Sequence, residues 1–221
     1  MTEPLIRRLL PMDVHAAELY GDAPSELLYP EENAHISRAV AKRRNEFTAV
    51  RHCARIALAE LGLVRPPLVP GEAGAPTWPP GVAGSMTHCH GYRAAVVGQT
   101  ACIAAVGIDA EPDEQLPPGI LASIASVSEQ CHLSDLSEAA RGPNWDRLLF
   151  SAKESVYKAW FPLMRRWLGF EDAELRIALD GTFTAELLVD PLIVNGQVRT
   201  SVAGRWLSAN GLLLTSVSVP P

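Results

Sequence analysis

Three stretches of the chain concentrate residues able to do chemistry. The first is "VGIDAEP", residues 106–112, where an apolar run ends in Asp109 and Glu111. Side chains at i and i+2 of a strand share a face, so these two carboxylates converge on one small volume. Two adjacent anions repel, and a hard cation with oxygen ligands, Mg2+ above all, relieves that repulsion. A solvated strand end closed by Pro112 is the competing reading. The second stretch is "WDRLLFSAKESVYKAWF", residues 145–161. On a helical wheel Arg147, Phe150 and Lys158 lie within roughly 40° of Glu154. Leu148, Leu149, Ala152, Val156, Ala159 and Trp160 take the opposite, packing face. Glu154 and Lys158 therefore stand together, either as an ordinary surface pair or as a third carboxylate and an ammonium beside a phosphate.

The third stretch is basic. Arg38, Lys42, Arg43, Arg44, Arg51, His52 and Arg55 crowd one segment, against Glu46 and Glu60. Arg44, Arg51 and Arg55 fall within roughly 40° on the wheel, with Arg43 about 80° from Arg51. Such a stripe suits a polyanion, because guanidinium groups match phosphate oxygens; a solvated helix face is the alternative. "GSMTHCHGY", residues 84–92, is more ambiguous. His88 and His90 would need further zinc ligands that nothing nearby offers. Cys89 would partner a histidine in hydrolysis only if the fold brought the two together.

The elements that must position these residues follow from pattern. Ile36, Val40, Phe47, Val50, Ala54, Leu58 and Leu61 predict one long helix over 34–61, stopped by Gly62. A Pro/Gly-rich loop follows, and then "RAAVV" and "ACIAAVGID" read as strands joined by a hairpin turn at Gly98, Gln99 and Thr100. A second loop precedes a helix from Ile120, and another helix runs from an Asn144 N-cap to Pro162. "ELRIAL", "FTAELLV", "QVRTSVAGRWL" and "LLLTSVSV" read as strands, with turns at Asp180-Gly181 and Asn210-Gly211. Helix followed by strands thus occurs once in each half, without a residue-level repeat.

The totals narrow the classes. With 221 residues, 48% of them hydrophobic, the chain has material for one large domain or two small ones. A net charge of −6 argues against general nucleic-acid affinity. No stretch reaches the roughly 18 apolar residues of a membrane span, and "MTEPLIRRLLPMDVHAAELYGD" lacks a leader pattern. Cys53, Cys89, Cys102 and Cys131 form no Cys-x-x-Cys pair, so neither a zinc knuckle nor a disulfide framework is indicated. The expectation is a soluble, cytoplasmic, monomeric protein that binds neither nucleic acid nor membrane.

In order, "GSMTHC", "VGIDAEP" and "FSAKESVYKAW" resemble the three signature segments of the 4'-phosphopantetheinyl transferase superfamily. The longer branch, of the enterobactin synthetase component D type, is the most similar. The resemblance spans about residues 35–161, including "KRRNEFTAVRHCARIAL" and "GAPTWP". It implies an α+β pseudodimer of two similar halves, 1–105 and 106–221, with the active site in the cleft between them. It implies transfer of the 4'-phosphopantetheine arm of coenzyme A to a serine of an acyl or peptidyl carrier protein, with release of adenosine 3',5'-bisphosphate. Asp109, Glu111 and Glu154 match the family's Mg2+ carboxylates, and Glu154 is also the candidate base for the attacking serine. Lys158 matches the residue that neutralises the pyrophosphate. Thr87 and His88 match the segment on the coenzyme A phosphates, and Arg43 and Arg51 the residues at its nucleotide end. One departure stands out: relatives usually carry a Lys or Arg before "APTWP", where this chain has Glu72 and Ala73. Arg165 and Arg166 offer charge for docking an acidic carrier.

Two other functions use the same residues: a nucleotidyl or phosphoryl transferase acting on a different nucleotide, and a non-catalytic module binding coenzyme A or a carrier. Thermal-shift titration separates the first from the transferase. Coenzyme A with Mg2+ should raise the melting temperature, whereas equal stabilisation by nucleoside triphosphates would favour the other nucleotide.

Overall fold

The computed structural model describes residues 3–23 and 28–221, so Met1 and Thr2 of the stretch read for a leader lie outside it. A short 3-10 helix, Leu5–Leu9, leads into β1 (Val14–Tyr20), α1 (Pro30–Ile36) and α2 (Ala41–Glu60). After the Pro/Gly-rich loop come β2 (Val82–Cys89), β3 (Tyr92–Gln99) and β4 (Ala105–Pro112). Three helices follow: α3 (Ile120–Ile124), α4 (Val127–Ala139) and α5 (Trp145–Met164). The chain ends in β5 (Ala173–Ile177), β6 (Thr182–Leu187), β7 (Leu192–Val194), β8 (Gln197–Arg199), β9 (Ser201–Ala209) and β10 (Leu212–Val219). This is the expected α+β class. No helix among the described residues is long and apolar enough to cross a membrane.

Two expectations fail, each for a long-range reason. The single helix over 34–61 is broken at residues 37–40, where Val40 adopts an extended conformation before α2 begins. The break lets α1 fold back, so that its Glu32, fully buried, pairs with Arg55 and Arg51 of α2. The same carboxylate accepts the backbone N–H groups of Tyr29 and Leu68 at 2.9 and 2.8 Å. The second failure is the hairpin. β3 and β4 do not pair; β3 lies between β1 and β2 in a three-stranded antiparallel sheet. β4 instead forms the edge of a five-stranded sheet, in the order β4-β10-β9-β6-β5. Gly98 to Thr100 therefore start a crossover between sheets. The true hairpin joins β2 to β3 around His90 and Gly91. The strand expected over "QVRTSVAGRWL" divides into β8 and β9, and both Gly turns fall where the pattern put them.

Strand alternation distributes the chain over distinct cores. Ala95 and Val97 of β3 face α2, against Cys53, Ala54, Ala57 and Leu58. Ala94 and Val96 face the other way, into a cluster with Val106, Ile108 and Ala110 of β4 and Leu212 and Leu214 of β10. Leu213, Val217 and Val219 of β10 pack with Leu148, Leu149, Ala152 and Val156 of α5. The period of two thus gives each central strand a core on both faces.

The sheets meet along their edge strands β2 and β4, and two hydroxyls replace the missing ladder. Ser85 accepts the Ile108 N–H, and Thr87 accepts the Ala110 N–H, both at 3.1 Å. Buried edge donors are thereby satisfied without continuous pairing. On its other face, β4 carries Gly107 directly beneath α5. A Cβ at Gly107 would lie 2.0 Å from the Ser155 carbonyl oxygen and 2.6 Å from the Ala159 nitrogen. Both neighbours are helix backbone and cannot move aside alone.

Gly107→Ala should therefore destabilise the protein by about 3 kcal/mol or more, since overpacking here displaces a helix. Denaturant unfolding measures it, and wild-type stability in that variant would refute the close contact.

Candidate active site

Gly107, Asp109 and Glu111 alternate on the α5 side of β4, while their neighbours enter the core. The i, i+2 reading of the two acids therefore holds, and both meet cations from α5. Lys158 Nζ donates to Asp109 Oδ1 at 2.7 Å and to the Ile108 carbonyl at 3.2 Å. Arg147 Nη1 donates to Glu111 Oε2 at 2.9 Å, and its other nitrogens hold the carbonyls of Glu114 and Gln115. Thr87 is buried, and its hydroxyl donates to Asp109 Oδ1 at 3.1 Å. Asp109 is thus fixed from two sides, yet its buried Oδ2 has no hydrogen-bond partner among the described residues.

The helix wheel translates directly into burial. Arg147, Phe150, Glu154 and Lys158 are half-buried, and the six residues assigned to the opposite stripe are buried. Asn144 stands at the N-cap position as expected, but its side chain does not cap the helix. It bonds Asp113 instead, donating to Oδ1 at 2.9 Å and to the carbonyl at 3.0 Å, which ties the start of α5 to the end of β4. The helix also runs two residues past Pro162, ending in a left-handed Arg165 whose N–H donates to the Phe161 carbonyl.

Electrostatics link the three carboxylates. Burial raises the pKa of Glu111, Asp109 raises it further, and Arg147 opposes both. Burial likewise raises that of Glu154, against the pull of Lys158, with Asp109 adding to the rise. Glu154 makes no hydrogen bond among the described residues. No three His, Cys, Asp or Glu side chains among those residues converge on one metal position. The reason is visible in the ion pairs: Arg147 holds Glu111 and Lys158 holds Asp109, so each acid is drawn to its own cation.

Beside this cluster opens a cavity of about 590 Å³, lined by α2, the 70–78 loop, β2 and the end of α5. Arg43, Arg51, Lys158 and Arg165 give it positive charge, offset by Glu46 and Glu72, and His88 of β2 also lines it. Arg43 Nη1 lies 3.3 Å from His88 Nε2, and Glu46 lies 3.4 Å from the same nitrogen. Burial lowers the pKa of His88, with Glu46 opposing and Arg43 adding to the fall. A neutral imidazole can then accept from Arg43. Arg51 lines the cavity too, but its Nε donates to the Leu68 carbonyl at 2.7 Å and its guanidinium sits 3.1 Å over the Phe47 ring. Burial lowers its pKa to about 9, against the pull of Glu32, so it stays charged at neutral pH. Arg55, third member of the basic stripe, is buried on Glu32 and does not line the cavity. Gly84 is needed here, because a Cβ would meet the Trp78 ring at 2.7 Å, and both residues form the cavity wall.

Sequence pattern missed three features. Arg147 was on the right helix face but had no assigned partner. Glu46, counted with Glu60 only as charge opposing the basic residues, lies beside His88. A slot of about 100 Å³ beside Glu154, walled by Tyr157, Trp167, Leu168 and Phe170, has no local motif at all. Exposure of Trp167 at 72% is its one anomaly, and that is invisible before folding.

Residues 31–98 match the family model described as the 4'-phosphopantetheinyl transferase N-terminal domain, and residues 105–206 match that of the 4'-phosphopantetheinyl transferase superfamily. The chain is 50% identical over 219 residues to 4'-phosphopantetheinyl transferase Svp of Streptomyces mobaraensis, covering 97% of this chain and 89% of the relative. It is 49% identical over 210 residues to 4'-phosphopantetheinyl transferase PptT of Mycobacterium tuberculosis, covering 93% and 92% respectively. Enterobactin synthase component D of Salmonella typhi is more distant, at 29% identity over 195 residues, covering 87% of this chain and 79% of the relative. Since both stretches match models of one family, and half the aligned positions agree with a relative bearing its name, the chain belongs to the 4'-phosphopantetheinyl transferase superfamily.

Proposed function

We propose that this enzyme transfers the 4'-phosphopantetheine arm of coenzyme A to a serine hydroxyl of an acyl or peptidyl carrier protein, releasing adenosine 3',5'-bisphosphate. The observation that carries the reading is the Asp109–Lys158 pair, at 2.7 Å, at the border between a cationic cavity and an unbonded Glu154. A pyrophosphate reacting there needs neutralised charge and an aligned nucleophile more than it needs covalent help from protein. Lys158 and Arg43 supply positive charge to the departing phosphate, and His88 orders Arg43. Glu154 takes the proton of the serine hydroxyl as its oxygen attacks phosphorus. The slot beside Glu154, with its aromatic walls, suits the uncharged part of the arm.

In donor chemistry and charge, though not in their present ion-paired positions, the residues suit a Mg2+ ion. Asp109 Oδ2 is buried without a partner, and Glu111 and Glu154 are each destabilised as anions by Asp109. Those three carboxylates would hold it, and a bound Mg2+ supplies Lewis-acid polarisation of the pyrophosphate oxygens. Loading requires Glu111 to exchange its Arg147 contact for the cation. The reading also divides the chain into halves, 1–105 and 106–221. The cavity takes Arg43 and His88 from one half and Lys158 from the other, which supports that division.

Mass spectrometry of a purified carrier incubated with the enzyme, coenzyme A and Mg2+ is the direct test. Addition of the arm's mass is expected, and binding of coenzyme A without that gain would leave only the binding module. Asp109→Ala and Glu154→Ala should each lower transfer by about 100- to 1,000-fold or more with circular dichroism unchanged. Full transfer by either variant would remove that residue from its role. Because the Glu154 pKa is raised above the ordinary 4.5, its ionised form is lost as pH falls through a higher value. The acid limb of kcat/KM should therefore lie above pH 4.5, and a rate still flat at that pH would exclude Glu154 as base.

A further inference from the structure

Four non-glycine residues among those described have left-handed φ: Ala73 at 51°, Arg165 at 51°, Asn195 at 49° and Asn210 at 56°. Asparagine is at home in that region, while alanine and arginine are not. Ala73 and Arg165 both line the cavity. Arg165 also occupies the helix end where glycine is the undemanding choice. A strained residue kept on a ligand wall points to work done by its side chain.

The other cations of the cavity already have partners. Arg43 lies against His88, Arg51 is spent on Glu32, Phe47 and the Leu68 carbonyl, and Lys158 is bonded to Asp109. The Arg165 side chain has no hydrogen bond or ion pair among the described residues. Its neighbour Arg166 is engaged elsewhere, with its guanidinium on Asp190 and its carbonyl accepting from Trp160. The two adjacent arginines therefore do not form one basic patch.

Position adds a second reason for charge. The carbonyls at the C-terminus of a helix carry partial negative charge, which repels a phosphate. Pro162 adds to this, because it has no N–H to offer the Lys158 carbonyl one turn earlier. A guanidinium on the residue that caps the C-terminus of α5 reverses that local sign.

We propose that Arg165 is a coenzyme A-binding residue, whose guanidinium holds a phosphate of the substrate from the α5 end of the cavity and takes no part in docking the carrier. The proposal rests on the transferase reading above. It also provides positive charge for a cavity whose 70–78 loop contributes only Glu72 as a charged side chain.

Arg165→Gly is the informative variant, since glycine keeps the left-handed helix end and removes only the side chain. Calorimetric titration with coenzyme A should show Kd raised about tenfold at low salt, the scale of one charge-assisted phosphate contact. The difference should shrink at high ionic strength, and Arg165→Lys should recover part of it. The steady-state KM for coenzyme A should rise in parallel, while the KM for the carrier stays at the wild-type value and the unliganded Tm does not fall. An unchanged Kd for coenzyme A, or a rise confined to the carrier's KM, would overturn the proposal. If the wild-type protein added no arm to any carrier, the transferase reading would fail, yet the same titrations would still decide for or against Arg165. A wild-type protein that bound no coenzyme A would overturn both.

Discussion

The candidate active site depends on how closely one helix lies on one strand. At Gly107 the backbone of α5 approaches β4 until a single Cβ would stand 2.0 Å from the Ser155 carbonyl. That approach brings Lys158 within 2.7 Å of Asp109 and Arg147 within 2.9 Å of Glu111, so the helix delivers both cations to the two acids of the strand. Asp113 and Asn144 fix the two elements again at the far end. With the register held at both points, the side chains in between have little freedom. This suits chemistry in which the protein contributes chiefly position and charge.

The same region shows how an anionic cluster survives without a ligand. Three carboxylates near one another would cost stability if all stood unpaired. Two of them are instead held by cations from α5, and the third, Glu154, has its pKa raised by burial. Asp109 receives a further hydroxyl from Thr87, which also spans the seam between the two sheets. Thr87 therefore joins the three-stranded sheet to β4 and holds the Asp109 carboxylate with one oxygen. A structural bond and a site bond share one atom, so displacement along the seam would reach Asp109 directly.

Legibility followed the range of the interaction. The helix containing Glu154 and Lys158 was readable because its apolar stripe repeats within a few turns, and every residue placed on that stripe is buried. The pair Asp109 and Glu111 was readable because strand alternation has a period of two. The basic stripe of α2 was half readable: Arg43 reaches the cavity, whereas Arg55 is turned inward by Glu32 of the preceding helix. Nothing in the spacing of arginines distinguishes those fates, because the deciding carboxylate lies 23 residues upstream. The strand pairing was misread for a similar reason. A Gly-containing turn looks alike whether the next strand pairs with its predecessor or crosses to another sheet.

Local pattern was thus sufficient for the fold class, for the faces of α5 and β4, and, through resemblance, for the family. Those properties are written in residue type and short spacing, where backbone geometry alone sets which side chains share a face. Tertiary structure decided which charges remain available. It buried Arg51 and Arg55 on Glu32, gave Arg147 to Glu111, separated Arg165 from Arg166, and built the slot beside Glu154 from a loop with no motif. A charge is free or spent according to what packs against it, and its partner can come from any distance along the chain.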